Sequence, residues 1–167
     1  MWVAWVRRVI RMGKGDDFLI TVIPFQDKYR DDMLYCLLSA KDAIGRQPSI
    51  NEDLFDIPGN YFAKGDMFWL AIDENERVVG MLGVHVVSLA DIWLKRLYVK
   101  PLQKRKGIGS ILLMQAEEFA ISKGMKKIHT QFSDDYKEAA IFYPSKGFVV
   151  FERKDGLNHL VKSLSLS

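Results

Sequence analysis

The pattern of apolar and polar positions along the chain predicts an α/β fold with a mixed sheet. Apolar residues recur at helical spacing over residues 27–43 and 110–123. A shorter helix is expected over residues 137–143, because Pro144 disfavours helical geometry at the residue before it. Short β-rich runs bounded by turn residues predict six to seven strands, over residues 18–23, 67–72, 78–87, 90–99, 127–132, 149–153 and 159–164.

The order of these elements predicts a single domain over residues 18–167. The strand–helix–strand unit over residues 90–132 should be parallel and right-handed, with Gly124 ending its helix. Residues 67–87 should form an antiparallel hairpin that turns at residues 73–76. We therefore expect a central, twisted mixed sheet with helices on both faces.

Residues 1–17 are an N-terminal extension of uncertain structure. Residues 1–6 are apolar and contain two tryptophans, and basic residues follow them. A secretory signal has its positive charge before the apolar run, so this order is wrong for one. An added strand, a surface-packed tail, a start codon assigned too early and an interfacial membrane helix all fit the pattern.

Composition limits the class of protein. The 167 residues are 49% apolar and 27% charged, which is ordinary for one soluble globular domain. No apolar run is long enough to span a bilayer, and no membrane partner is expected. The single cysteine, Cys36, cannot form an internal disulfide, which fits a reducing compartment and predicts a cytoplasmic location.

A basic stretch between Lys95 and Lys106 is the most informative part of the chain. It holds six lysines and arginines and no acidic residue, and it joins a predicted strand to a predicted helix. Backbone N–H groups at a helix start have no partners inside the helix and favour negative charge. Gly107 and Gly109 allow the backbone to approach a ligand closely. The stretch predicts a polyphosphate site, with a plain basic helix cap as the alternative.

Two motifs in this chain resemble the GCN5-related N-acetyltransferase (GNAT) superfamily. The first runs through residues 92–124, where Leu97-Tyr98-Val99 and Pro101 precede Gly107-Ile108-Gly109. The second is Ala139 to Phe148, which is similar to the family signature A-x-x-F-Y-x-x-x-G-F. The resemblance covers about residues 18 to 165. It implies an N-acetyltransferase that uses acetyl-CoA, with the thioester lying in a gap where two parallel strands splay apart.

The resemblance also implies the residues that bind the cofactor. Lys104 stands where the family usually has glutamine or arginine, and Tyr136 stands where many members have an asparagine. A backbone N–H at Val99 or a neighbour would stabilise the carbonyl oxygen. The implied cofactor-binding residues are Leu97, Tyr98, Val99, Lys104, Arg105, Lys106, Gly107, Ile108, Gly109, Ser110 and Tyr136.

Tyr143 matches the family's usual general acid, which protonates the departing thiolate. A phenol has a pKa of about 10, so it carries its proton at neutral pH. The alternative is a core aromatic residue whose hydroxyl group is satisfied by hydrogen bonding.

The sequence does not identify a catalytic base or an acceptor. Candidate bases are Asp91, His85, Glu52, Asp53 and Asp56, while His129 is expected to be packed on a strand. The three histidines have no ligand spacing, so no metal is expected. The family uses the segment corresponding to residues 45–66 to receive the acceptor. Seven acidic residues and one basic residue lie between residues 52 and 76, which predicts a small cationic amine or a lysine side chain.

Two other functions remain open at this level. A non-catalytic GNAT-fold protein could bind acyl-CoA without transferring the acyl group. A nucleic-acid-binding protein is disfavoured, because the net charge of +3 comes from 24 basic and 21 acidic residues and is negative outside the basic stretch. A homodimer is also an expectation.

Overall fold

The computed structural model describes residues 8–12 and 18–165, which fall into two compact units. Unit 1 comprises Met1–Gly83 and Arg96–Gln115, and unit 2 comprises Val84–Lys95 and Ala116–Ser167. The chain crosses from one unit to the other inside two strands and one helix. None of the described helices is long and apolar enough to cross a membrane.

Unit 1 is built on antiparallel strands. These are β1 (Arg8–Met12), β2 (Phe18–Pro24), β3 (Met67–Ile72) and the first residues of β4 (Val78–Val86), in the spatial order β1-β2-β3-β4. Ile10 pairs with Ile20, and Val22 pairs with Ala71, both in antiparallel register. The predicted turn between β3 and β4 is closed by a hydrogen bond from Asp73 N to Arg77 O of 3.0 Å.

The core of unit 1 lies between its strands and its first helix, α1 (Arg30–Ala43). A short helix, α2 (Ile57–Asn60), follows in the connection to β3. The apolar spacing of α1 brings one side of the helix inward, as predicted. The buried cluster combines Met33, Cys36 and Leu37 of α1, Leu54, Ile57 and Tyr61 of the connection, and Phe68, Leu70 and Met81 of the strands.

The third helix, α3 (Ile108–Ser122), covers the other face of β4. Gly80 and Met81 are adjacent in this strand and therefore point to opposite faces. Met81 belongs to the cluster around α1, whereas a Cβ at Gly80 would lie 2.8 Å from Ile108 and 2.9 Å from Leu112. The absence of a side chain at Gly80 thus allows α3 to pack closely, and the prediction of helices on both faces is confirmed.

Unit 2 contains the parallel pair of the sheet. The pair is formed by β5 (Asp91–Val99) and β6 (Lys127–Ser133), and its register covers only Asp91–Trp93 opposite Lys127–His129. Two antiparallel strands follow, β7 (Val149–Lys154) and β8 (Leu157–Ser163), in the spatial order β5-β6-β8-β7. Asp155 and Gly156, both at positive φ, turn β7 into β8 as predicted.

The predicted fold class is confirmed, with seven strands between residues 18 and 167. The structure adds β1 within the region predicted as an extension, while residues 1–7 and 13–17 lie outside the described part of the chain. Helix α3 begins at Ile108, two residues before the predicted start. The reason is that the carbonyl of Gly107 already accepts a helical bond from Ile111 N, at 3.1 Å.

The predicted end of the helix before Pro144 is wrong. Helix α4 runs from Lys137 to Ser145 and contains Pro144 in its last turn. Tyr143 is buried there, and its carbonyl accepts hydrogen bonds from Lys146 N and Phe148 N. Gly147, at φ +93°, then ends the helix. Burial of Tyr143 and this C-terminal capping outweigh the local preference of the residue before proline.

Candidate functional site

The loop between β5 and α3, residues 100–107, has an unusual backbone. Pro101–Gln103 form one turn of 3₁₀ helix, and Arg105 (φ +65°) and Gly107 (φ +79°) both adopt left-handed conformations. Such angles cost a side-chain-bearing residue free energy and suit glycine. The two left-handed residues turn the chain so that α3 begins directly after Gly107.

The first turn of α3 provides the predicted anion site. The amides of Ile108, Gly109 and Ser110 come before the first helical hydrogen bond, so they have no partner inside the helix. The helix dipole adds a partial positive charge at this end. Ile108 is buried and only 1% exposed, which fixes the helix start against the strands.

Ion pairing reduces the positive charge of the basic stretch. Lys100 Nζ lies 2.8 Å from Asp32 Oδ1, and Arg96 Nη2 lies 2.9 Å from Asp53 Oδ1. Asp32 and Asp53 are both far from the basic stretch in sequence, so the composition of the stretch alone overstated its uncompensated positive charge. Besides Lys100, the loop carries the basic side chains of Lys104, Arg105 and Lys106, and Lys106 Nζ donates to Gln103 Oε1 at 3.0 Å.

The strand residues Leu97, Tyr98 and Val99 are half-buried at the end of β5. Tyr98 packs against the core around α1, and its carbonyl is 4.0 Å from Cys36 Sγ. The residue before them, Arg96, has φ +59° inside the strand, which the sequence gave no reason to expect. The alternation of buried and half-buried residues along β5 stops at Arg96.

Asp53 joins the segment of residues 45–66 to Arg96. Its carboxylate accepts hydrogen bonds from Arg96 Nη2 (2.9 Å), Arg96 Nε (3.2 Å) and Tyr61 Oη (2.6 Å). Burial acts to raise the pKa of Asp53, but the hydrogen bonds from Arg96 and Tyr61 outweigh it and the pKa lies below its usual value. These hydrogen bonds occupy both carboxylate oxygens, and the lowered pKa makes Asp53 a weak proton acceptor, which argues against its role as a base.

Other contacts also tie this segment down. Lys41 of α1, only 5% exposed, donates to Ser49 O at 2.7 Å and to Asn51 Oδ1 at 2.9 Å. Asp56 accepts from Gly59 N at 3.0 Å and caps α2. Asp66 is buried. Of the candidate bases in this segment, Glu52 and Asp56 are exposed to solvent.

In unit 2, Tyr143 lies in an aromatic cluster. Its ring stacks on Phe132 at 5.7 Å and meets Phe148 edge to face at 5.2 Å, and the residue is 6% exposed. Burial raises the pKa of Tyr143 to about 12, although a hydrogen bond with the Thr130 side chain lowers it in part. The phenol is therefore protonated at neutral pH. Tyr136 is half-buried at the start of α4, where its carbonyl accepts from Ala139 N.

The remaining candidate bases also lie in unit 2. Asp91 Oδ1 is 2.7 Å from His129 Nε2, and His129 Nδ1 is 2.9 Å from His159 Nε2. Trp93 stacks on both imidazole rings. The sequence did not reveal this hydrogen-bonded series of side chains, because Asp91, His129 and His159 come from three different strands. His85 is half-buried near the end of β4.

Comparisons with known proteins agree with these features. A family model described as an acetyltransferase (GNAT) domain matches residues 64–150, just over half of the chain. Human N-acetyltransferase 8 is 31% identical over 102 residues, which cover 58% of this chain and 44% of that protein. The chain therefore spans less than half the length of this curated relative.

Solved structures show the same fold. A GNAT-family acetyltransferase from Staphylococcus aureus Mu50 superposes with a TM-score of 0.79 at 23% identity, covering 87% of this chain and 99% of that one. The PaiA N-acetyltransferase of Thermoplasma acidophilum, crystallised with coenzyme A, gives a TM-score of 0.73 at 18% identity over the same shares. With motifs, fold and family model in agreement, the chain belongs to the GNAT acetyltransferase family.

Proposed function

We propose that this protein transfers the acetyl group of acetyl-CoA to a primary amine. Family membership supports an acyltransferase, and the backbone at residues 105–110 supports the acyl donor. That backbone is the observation on which the proposal chiefly depends. The left-handed residues Arg105 and Gly107 lead directly into the start of α3, whose first amides have no partner inside the helix. The basic side chains of Lys104, Arg105 and Lys106 lie just before this helix start.

The residues present fit a coenzyme A pyrophosphate. The amides of Ile108, Gly109 and Ser110 would hold the phosphate oxygens, and Lys104, Arg105 and Lys106 would add charge. The backbone of Leu97, Tyr98 and Val99 would hold the pantetheine arm, and Tyr136 would contact the cofactor.

Bound acetyl-CoA would supply an acyl thioester for attack by the amine. Backbone N–H groups of Leu97–Val99 would stabilise the charge that develops on the carbonyl oxygen. Tyr143 holds a proton on its Oη at neutral pH, because burial raises its pKa to about 12. It would pass this proton to the departing sulfur and so act as the general acid.

The acceptor proposed here is a primary amine, because its nitrogen can attack the thioester carbonyl and form an amide. The predicted preference for a cation loses part of its basis, because Asp53 is neutralised by Arg96. A panel of polyamines, amino sugars and lysine peptides, with anionic amines included, tests the charge preference directly. Faster turnover of the anionic amines would contradict a cationic acceptor.

Calorimetry with coenzyme A tests the site at α3. Gly107→Ala should weaken binding about tenfold or more, since alanine disfavours the left-handed conformation by about 1–2 kcal/mol. Gly124→Ala is the matched control, because Gly124 is also left-handed (φ +74°) but follows the other end of α3. Equal affinities in the two variants, or no heat with the wild-type protein, would refute the proposed site.

Turnover of Tyr143→Phe tests the general acid. We expect kcat to fall by about 10²-fold or more while the affinity for coenzyme A is kept, since phenylalanine preserves the aromatic packing. Unchanged turnover would make Tyr143 a structural core residue. Coenzyme A binding by a wild-type protein that acetylates no amine would favour the non-catalytic acyl-CoA-binding function.

A further inference from the structure

Arg96 has a backbone conformation that a strand residue rarely adopts. Four described non-glycine residues have positive φ, and the other three, Glu76, Arg105 and Asp155, lie in turns or loops. Arg96 alone among these four lies inside a strand, at φ +59°. The left-handed region is unfavourable for a residue with a Cβ, so other contacts must hold the strand in this shape.

The guanidinium of Arg96 makes a two-point contact with Asp53. Its Nη2 lies 2.9 Å from Asp53 Oδ1 and its Nε lies 3.2 Å from Asp53 Oδ2, so two nitrogens on one edge of the planar group meet the two carboxylate oxygens. The two side chains are 30% and 22% exposed. A two-point contact of this kind fixes orientation as well as distance, which a lysine could not do.

Asp53 is itself held by the core of unit 1. Tyr61, which is fully buried, donates its hydroxyl to Asp53 Oδ2 at 2.6 Å. Asn60 Nδ2 donates to the carbonyl of Asp53 at 3.0 Å. The ring of Tyr61 packs edge to face on Phe68 of β3 at 5.0 Å. The carboxylate is therefore a fixed anchor.

We propose that Arg96 and Asp53 are positioning residues, whose ion pair holds β5 in the left-handed turn that sets the place of the Leu97–Val99 backbone. This inference rests on the proposed function, in which those amides receive the acyl donor. The pair also joins β5 to the segment of residues 45–66. This one ion pair thereby fixes both β5, which is proposed to hold the acyl donor, and residues 45–66, which are expected to receive the acceptor.

A comparison of two substitutions tests the proposal. Arg96→Ala removes the pair and leaves a residue that disfavours positive φ, whereas Arg96→Gly removes the same pair but accepts that angle. We expect kcat to fall by about 100-fold in Arg96→Ala, and Arg96→Gly to recover most of this loss, because misplaced reacting groups cost about that much. Equal losses in the two variants would overturn the proposal and point to a direct contact of the guanidinium.

Arg153 supplies the matched control. It is an exposed strand residue of β7 outside the left-handed region. The Arg153→Gly variant should be no more thermally stable than Arg153→Ala, because residue 153 does not have a positive φ that glycine would accept more easily. Rescue by glycine at position 153 as well would show that the effect at position 96 is not specific to its backbone angle.

Amide NMR separates this proposal from the proposed function without an acceptor. On addition of acetyl-CoA to the wild-type protein, the signals of Gly107 and Gly109 should shift if the donor binds at α3. The signals of Leu97 and Val99 should shift in the wild-type protein and in Arg96→Gly, and shift much less in Arg96→Ala. No shift at Gly107 would refute the proposed function, whereas equal strand shifts in both variants would refute only the positioning role.

Discussion

Asp32 accepts hydrogen bonds from three other residues of unit 1, and its removal is expected to be costly. It accepts hydrogen bonds from Arg77 Nε at 2.9 Å, Val78 N at 2.7 Å and Lys100 Nζ at 2.8 Å. Burial acts to raise the pKa of Asp32, but its bonds to Arg77, Lys100 and Val78 outweigh it and hold the pKa well below its usual range. Asp32→Asn keeps the shape and one acceptor oxygen and removes the charge.

The cost follows from the exposure of each partner. The Lys100 side chain is only 12% exposed, so loss of its charged partner should cost about 1.5–3 kcal/mol. The Arg77 side chain is 56% exposed, so solvent screens its pair with Asp32 and the pair adds little to stability. The asparagine oxygen can still accept from Val78 N. We expect the free energy of unfolding to fall by about 1.5–3 kcal/mol, chiefly through the loss at Lys100.

Urea denaturation at pH 7 measures this loss, with Asp31→Asn as the control. Asp31 is the neighbouring residue on α1, its side chain is 98% exposed, and it meets Arg30 at 3.8 Å, so its substitution should cost less than about 0.5 kcal/mol. The difference between wild type and Asp32→Asn should shrink as the pH falls below about 4, where the unfolded chain takes up the proton that folded Asp32 refuses. Equal stabilities of the two variants at pH 7 would refute the reasoning.

Two further predictions concern titratable groups elsewhere. Burial, and then the neighbouring His129, lower the pKa of His159, so below about pH 6.5 the unfolded chain binds more protons at this residue and stability should decrease with falling pH. His159→Gln should flatten the stability profile between about pH 5 and 7 in urea titrations, and an unchanged profile would exclude this residue as its source. Burial raises the pKa of the Cys36 thiol to about 12, so the native protein should resist alkylation by iodoacetamide. Mass spectrometry would show modification only in denaturant, and rapid labelling of the native protein would contradict the burial.

Local patterns were enough to predict most of the fold. A short β-rich run bounded by turn residues placed β3 at its observed bounds, and helical spacing located α1 and α3 within a few residues. These elements are determined by side chains that lie close together in the sequence. Pro144 shows the limit of this approach, because tertiary burial of Tyr143 overrides a preference that acts only between neighbours.

The electrostatic part of the candidate site was harder to predict, because its partners are far apart in the chain. Arg96 and Asp53 are separated by 43 residues, and Lys100 and Asp32 by 68. No local pattern assigns such pairs, so the basic stretch suggested more uncompensated charge than the folded loop presents. The left-handed angle of Arg96 was equally hidden, since glycine is the usual signal for it and arginine stands there.

The burial of Cys36, the single thiol of the chain, makes the protein suitable for selective labelling. A cysteine introduced at Leu102, which is 92% exposed in unit 1, or at Leu89, which is 94% exposed in unit 2, would be the reactive thiol in native protein. A fluorophore or spin label attached there would report on one chosen unit. The same burial should make Cys36 unreactive toward Ellman's reagent, so coenzyme A released in the proposed reaction could be followed without background.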